Sequence, residues 1–214
     1  MMVLKLIRKD IMIVKEILWQ LFVIIIGFPL LVAWRQPQMG GLTGLLMSVL
    51  VSSVFFNLAV SGKESKYPKA TALLSATPYM KSKLVFAKYA LYVMIWLVCC
   101  IASFIEMRFV PEIAVDDFGR TAAMVFLIQS ICMGIFLPVQ YVFGYEKTKF
   151  VSFLLFITPF ALTAMEDSEI AVNIGGFFGP TPVFLTMIIF TFGILAWFAS
   201  FAVSEKVFNR KDLI

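Results

Sequence analysis

Apolar residues gather in six long runs, over residues 17–34, 42–60, 84–105, 121–144, 150–165 and 183–203. A helix needs about 20 apolar residues to cross a hydrocarbon core about 30 Å thick. The pattern therefore predicts an all-α polytopic membrane protein with six transmembrane helices in one domain. The fifth run is the shortest. Gly27 and Pro29 interrupt the first and Pro138 the fourth. Such breaks are tolerated where neighbouring helices satisfy the freed backbone groups.

Residues 3–16 follow a different rhythm. At about 100° per residue, Leu4, Ile7, Ile11, Val14 and Leu18 share one face, while Lys5, Arg8, Lys9, Lys15 and Glu16 cluster on the other. This predicts an amphipathic helix lying in the membrane interface ahead of the first span. The first run does not read as a cleavable signal, because Asp10 and Glu16 precede it and no small-residue cleavage site follows.

The polar connections alternate in charge. Lys5, Arg8, Lys9, Lys15, Lys63, Lys66, Lys69, Lys81, Lys83, Lys88, Lys147, Lys149, Lys206, Arg210 and Lys211 fall on one side, against Arg35, Arg108 and Arg120 on the other. Cytoplasmic connections carry the excess of Lys and Arg, so both termini are expected in the cytoplasm. Residues 61–83 then form the largest cytoplasmic connection. Residues 106–120 and 166–182 lie outside, together with Glu106, Glu112, Asp116, Asp117, Glu166, Asp167 and Glu169.

Composition agrees with the pattern. The 214 residues are 61% hydrophobic and 14% charged, with mean hydropathy +0.96. Soluble domains average about 45–50% and about 25%. The net charge of +5 belongs to membrane-flanking lysines and gives no reason to expect nucleic acid. Cys99, Cys100 and Cys132 sit inside apolar runs and there is no histidine, which argues against a disulfide framework and against a His/Cys metal site.

Candidate chemistry is sparse. SGKES at 61–65 lacks the glycine spacing and the Ser/Thr of a phosphate-binding loop, so no ATP site is expected in this chain. Without histidine there is neither an HExxH motif nor a Ser-His-Asp arrangement. Glu166, Asp167 and Glu169 read as a solvated outer loop rather than a cation site. Charges within the runs are nearly absent, with Lys88 and Glu106 near helix ends. That counts against an ion-coupled carrier. Ser48, Ser52, Ser53, Asn57, Gln129, Gln140 and Thr158 stand out among the uncharged polar residues; they line a path or bond helix to helix, Asn57, Gln129 and Gln140 foremost.

One stretch is specific. Leu73, Leu74 and Ser75 lead to Pro78, and Pro78, Lys81, Val85, Lys88 and Tyr89 follow the spacing P-x-x-K-x-x-x-V-x-x-K-Y. This resembles the start of the third span in bacterial ABC-2 type permeases, and most closely the permeases of phenol-soluble modulin exporters. Thr77 stands where that family commonly has Leu. The resemblance implies a type II exporter-like membrane domain whose N-terminal helix is the elbow helix. It implies an ABC ATPase subunit as partner, which binds the ATP and Mg, and a second permease copy or sister permease. Its location would be the bacterial plasma membrane, and this chain would itself be non-catalytic. Coupling to the ATPase would involve Glu64, Tyr67, Pro68, Ala70, Leu73, Leu74, Ser75, Thr77, Pro78, Tyr79 and Lys81. Lys5, Arg8, Lys9, Lys15, Lys83, Lys88 and Tyr89 would anchor the chain to membrane lipid.

The residues themselves agree with a coupling element. Ala70, Leu73, Leu74 and Thr77 have the i, i+3, i+4, i+7 spacing of a helix that docks in a groove, and Pro78 ends that helix. The resemblance implies export of amphipathic peptide. A lipid or drug exporter and an ATP-independent carrier or channel are the competing readings.

Overall fold

The computed structural model describes residues 2–35, 40–66, 81–109, 117–164 and 183–210. They form helices α1 (Met2–Ile13), α2 (Leu18–Arg35), α3 (Gly40–Lys66), α4 (Lys81–Phe109), α5 (Phe118–Phe143), α6 (Tyr145–Ala164) and α7 (Val183–Arg210). A short 3-10 turn, Lys15–Ile17, joins α1 to α2. Among the described residues there is no strand.

Among the described residues five stretches are long and apolar enough to cross a membrane: Lys15–Val32, Gly41–Lys66, Ser82–Phe109, Phe118–Phe143 and Val183–Phe208. α6, expected as the fifth of six spans, is not among them. It is described over Tyr145–Ala164 and carries Glu146, Lys147 and Lys149 near its start. The boundary before it also differs from expectation. Gly144 alone separates α5 from α6, with φ +80°. Only glycine enters that region of backbone space without strain.

α3 is the central helix. It packs against α1, α2, α4, α5 and α6, and it is the most enclosed of the five apolar helices. Its composition explains why. Ser48, Ser52, Ser53, Asn57 and Ser61 recur along it, and side chains of this kind are better placed against other helices than against lipid. α7 pairs with α5, and the outer faces of α2 and α7 are apolar and exposed, with Trp19, Phe22, Leu31, Phe192, Leu195 and Phe198 among them.

Two prolines inside long helices, Pro29 and Pro138, are each answered by a serine from a neighbour. Proline has no N–H, so the carbonyl four residues earlier loses its helical donor. For Pro29 that carbonyl is Ile25 O, and Ser48 Oγ of α3 donates to it at 3.0 Å. For Pro138 it is Gly134 O, and Ser200 Oγ of α7 donates to it at 2.6 Å. Gly44 makes the first approach possible, since a Cβ there would stand 2.9 Å from Pro29 Cα.

α1 is amphipathic, but its inner face is turned from the expected one. Leu6, Ile7, Asp10 and Val14 are buried, Ile11 is half-buried, and Lys5, Arg8, Met12 and Lys15 are exposed. That inner face rests on α4 and α3. The reason for the turn is ionic, and it lies at the foot of the bundle.

Candidate functional site

α3 does not stop at residue 60. It runs on to Lys66, and this carries Glu64 inward to meet the first turns of α4 and the middle of α1. The Glu64 carboxylate lies between two ammonium groups. Lys88 Nζ donates to Oε2 at 3.0 Å and Lys9 Nζ donates to Oε1 at 3.3 Å. Lys9 Nζ is also 2.9 Å from Asp10 Oδ1. Two cations and two anions make the group neutral. The Glu64 and Lys88 side chains are each only 20% exposed, so the pairing offsets a real desolvation cost. A second pair, Lys63 with Glu16 at 3.2 Å, ties α3 to the 3-10 turn at the surface, where it contributes little.

Aromatic and amide groups continue the site into the bundle. Lys88 Nζ stands 5.9 Å from the centroid of the Tyr141 ring on α5. A cavity of about 10 Å³, room for one water, lies between Asp10, Asn57, Lys88 and Tyr92. Beyond it Asn57, Gln140 and Ser61 close a ring of hydrogen bonds. Asn57 Nδ2 donates to Gln140 Oε1 at 3.1 Å, Gln140 Nε2 to Ser61 Oγ at 2.9 Å, and Ser61 Oγ to Asn57 Oδ1 at 3.1 Å. Higher still, Gln129 Nε2 donates to Ser53 Oγ and to the Tyr92 carbonyl, both at 3.0 Å. The three amides singled out in the sequence thus join helix to helix.

The expected anchors divide. Lys5, Arg8 and Lys15 are exposed, and Lys83 is half-buried. Lys88 and Tyr89, expected at the lipid surface, turn inward instead. Lys88 meets Glu64, and Tyr89 is 2% exposed with its hydroxyl 2.5 Å from Ser200 Oγ and 2.7 Å from Ser204 Oγ. The helical period sets this, because Val85, Lys88, Tyr89 and Tyr92 lie on the face of α4 that the bundle covers. Lys9 turns inward with them. Glu64, expected on a connection facing an ATPase, is helical and ion-paired. The helix expected over 69–77 lies outside the described residues, as do Tyr67, Pro68, Ala70, Leu73, Leu74, Ser75, Thr77, Pro78 and Tyr79. Lys81 opens α4. Asp10 escaped the sequence reading; its position one turn beyond Leu6 and Ile7 on the inner face was the available signal.

Burial pushes the Asp10 carboxyl above its usual range, against the pull of Lys9 and Lys88. A raised carboxylate favours the folded state when protonated. Its contribution is greatest below the unfolded value of about 3.9 and is lost as pH rises through the raised folded value. Asp10→Asn is therefore expected to leave stability at neutral pH equal to or above that of the parent, and to flatten its decline above about pH 4. Melting curves across pH in detergent check this; a loss of more than about 1 kcal/mol at neutral pH would show that the Lys9 pair outweighs burial.

A family model described as an ABC-2 family transporter protein matches residues 5–209. No curated protein and no solved structure matches the chain.

Proposed function

Since the chain belongs to the ABC-2 transporter family, whose members are multi-pass membrane subunits that normally work with an ABC ATPase, we propose that it is the permease of an ATP-driven exporter of amphipathic peptides. Both termini face the cytoplasm of a bacterial plasma membrane. The ATPase, which binds ATP and Mg, docks on the segment between α3 and α4. A second permease copy or a sister permease completes the membrane unit.

The observation that carries the coupling step is the position of the Glu64 site. Glu64 and Lys88 stand three residues before and eight residues after the segment 67–80, on the two helices that bracket it. A push on that segment is delivered to α3 and α4 at the point where both hold α1. The neutral charge of the site suits a contact that must break and re-form, since no net charge is stranded when it opens. The apolar outer faces of α2 and α7 suit amphipathic cargo and a partner permease equally.

Co-purification with the cognate ABC ATPase tests the assignment. A stable complex is expected, and Leu73→Asp or Leu74→Asp is expected to abolish cargo-stimulated ATP hydrolysis by placing a charge in an apolar groove. Absence of any complex, or unchanged stimulation in both variants, would sink the coupling role. Proteoliposomes loaded with an amphipathic helical peptide, a fluorescent lipid or a small cationic dye then separate the cargo classes. ATP-dependent efflux of the peptide is the expected result, and efflux without the ATPase would favour a carrier.

A further inference from the structure

Glu106 reads from the sequence as an acid of the outer connection. In the structure it is buried at 9% exposure on the last turns of α4. Both of its carboxyl oxygens are enclosed without a hydrogen-bond partner, and so is Ser103 Oγ one turn earlier. Cys99, Ser103 and Glu106 share one face of α4 at i, i+4, i+7 spacing. The Cys99 thiol is fully enclosed and lies beside Ser48 and Ser52 of α3. Glu106 thus ends a polar stripe along the seam between α3 and α4.

No ion pair involves Glu106 among the described residues. The elements packed against α4 offer little at this end. The charged residues of α3 (Lys63, Glu64 and Lys66) and of α1 lie at the opposite end of the bundle, as do Glu205, Lys206 and Arg210 of α7. α2 has Arg35 at its last position, its side chain outside the described residues. Just ahead of α5, Asp117 accepts from Arg120 N at 3.2 Å, and Arg120 lies in the first turn. On α4, Arg108 is exposed and stands 5.6 Å from the Phe104 ring.

An ionised carboxylate in such a place costs several kcal/mol. A protonated carboxyl costs far less and brings an O–H of its own to donate. We propose that Glu106 is a proton-binding site of the α3–α4 seam, loaded while the seam is closed and unloaded when it opens. On opening, the O–H bond breaks, the proton passes to water and the carboxylate is hydrated. On closing, a proton returns. Closure is thereby linked to one proton. A rise of one pH unit then shifts the seam toward open by up to about tenfold.

The test uses the full chain in lipid with Cys100→Ser and Cys132→Ser, which leaves Cys99 as the sole thiol. Maleimide labelling of Cys99 reports opening. The rate is expected to rise with pH more steeply than for the same chain carrying Glu106→Gln, with Glu106→Asp keeping the steep dependence. The Gln variant carries the ordinary thiol chemistry, so the difference between the two isolates the carboxyl. Infrared spectra give a second readout: a protonated-carboxyl band in the parent, absent from Glu106→Gln. An identical pH slope in the parent and the Gln variant, or no carboxyl band removed by the substitution, would overturn the proposal.

Discussion

Glu64→Ala is expected to destabilise the chain by about 2–4 kcal/mol in denaturant titrations in mixed micelles. Breaking a fully buried pair typically costs about 3–5 kcal/mol; a fifth of each side chain is exposed here, so the lower part of that range is discounted further for screening. The loss has two parts. Lys88 keeps its place beside the Tyr141 ring but loses its carboxylate, and Lys9 retains only Asp10. Lys88→Met is expected to cost less, because Glu64 still holds Lys9 at 3.3 Å and a Met chain fills the vacated space. The double variant should then lie close to the Glu64→Ala single, with a coupling of about 1–3 kcal/mol. Strict additivity would mean that the pair stores no energy, and a latch built from it would have nothing to release. The same variants, tested with the ATPase, should weaken the grip of α1 on α3 and α4 before they affect ATP hydrolysis itself.

Much of the fold was legible in the sequence because hydrophobic run length constrains a membrane helix strongly. The apolar runs coincide with α2 to α7 to within a few residues, and Lys9 and Lys88 of the Lys-rich set meet at one end of the bundle. What escaped was pairing. Glu64 read as part of a connection because Gly62, Lys63 and Ser65 surround it, and nothing local shows that α3 continues to Lys66. Lys88 and Tyr89 read as lipid anchors because they lie near a helix end. The inward choice is made by partners 24 and 111 residues away. Glu106 reads as an outer acid for the same reason, since nearness to a helix end is a weaker guide than the face on which a residue lies. A better signal was present in α3. Ser48, Ser52, Asn57 and Ser61 repeat at about helical spacing, and a stripe of that kind marks the face that packs on protein. Continuing the matching stripe on α4 through 88, 92, 99, 103 and 106 places Lys88 and Glu106 inside. The helix expected over 69–77 lies outside the described residues.

Ser200→Ala is expected to cost about 1–3 kcal/mol, the larger part from one unpaired carbonyl. Pro138 withholds the N–H that Gly134 O would otherwise accept, and Ser200 Oγ supplies the donor at 2.6 Å. A serine has one proton to give. With that proton committed to Gly134 O, the Tyr89 hydroxyl must donate to Ser200 and accept from Ser204. Ser204→Ala therefore removes a single donor to a hydroxyl that keeps another partner, and about 0.6 kcal/mol is expected, the average for interhelical hydrogen bonds in membranes. Alanine keeps the Cβ of Ser200, which a Cβ at Gly134 would approach to 3.1 Å, so the close passage of α5 and α7 is unchanged by the substitution. The decisive comparison adds Pro138→Ala. That change returns an N–H to α5 within reach of Gly134 O, so the helix satisfies its own carbonyl. Ser200→Ala in the Pro138→Ala background should then cost no more than Ser204→Ala does in the parent. If instead it costs as much as in the parent, the carbonyl is not what Ser200 stabilises, and its value lies in the bond to Tyr89 that fixes α4 against α7.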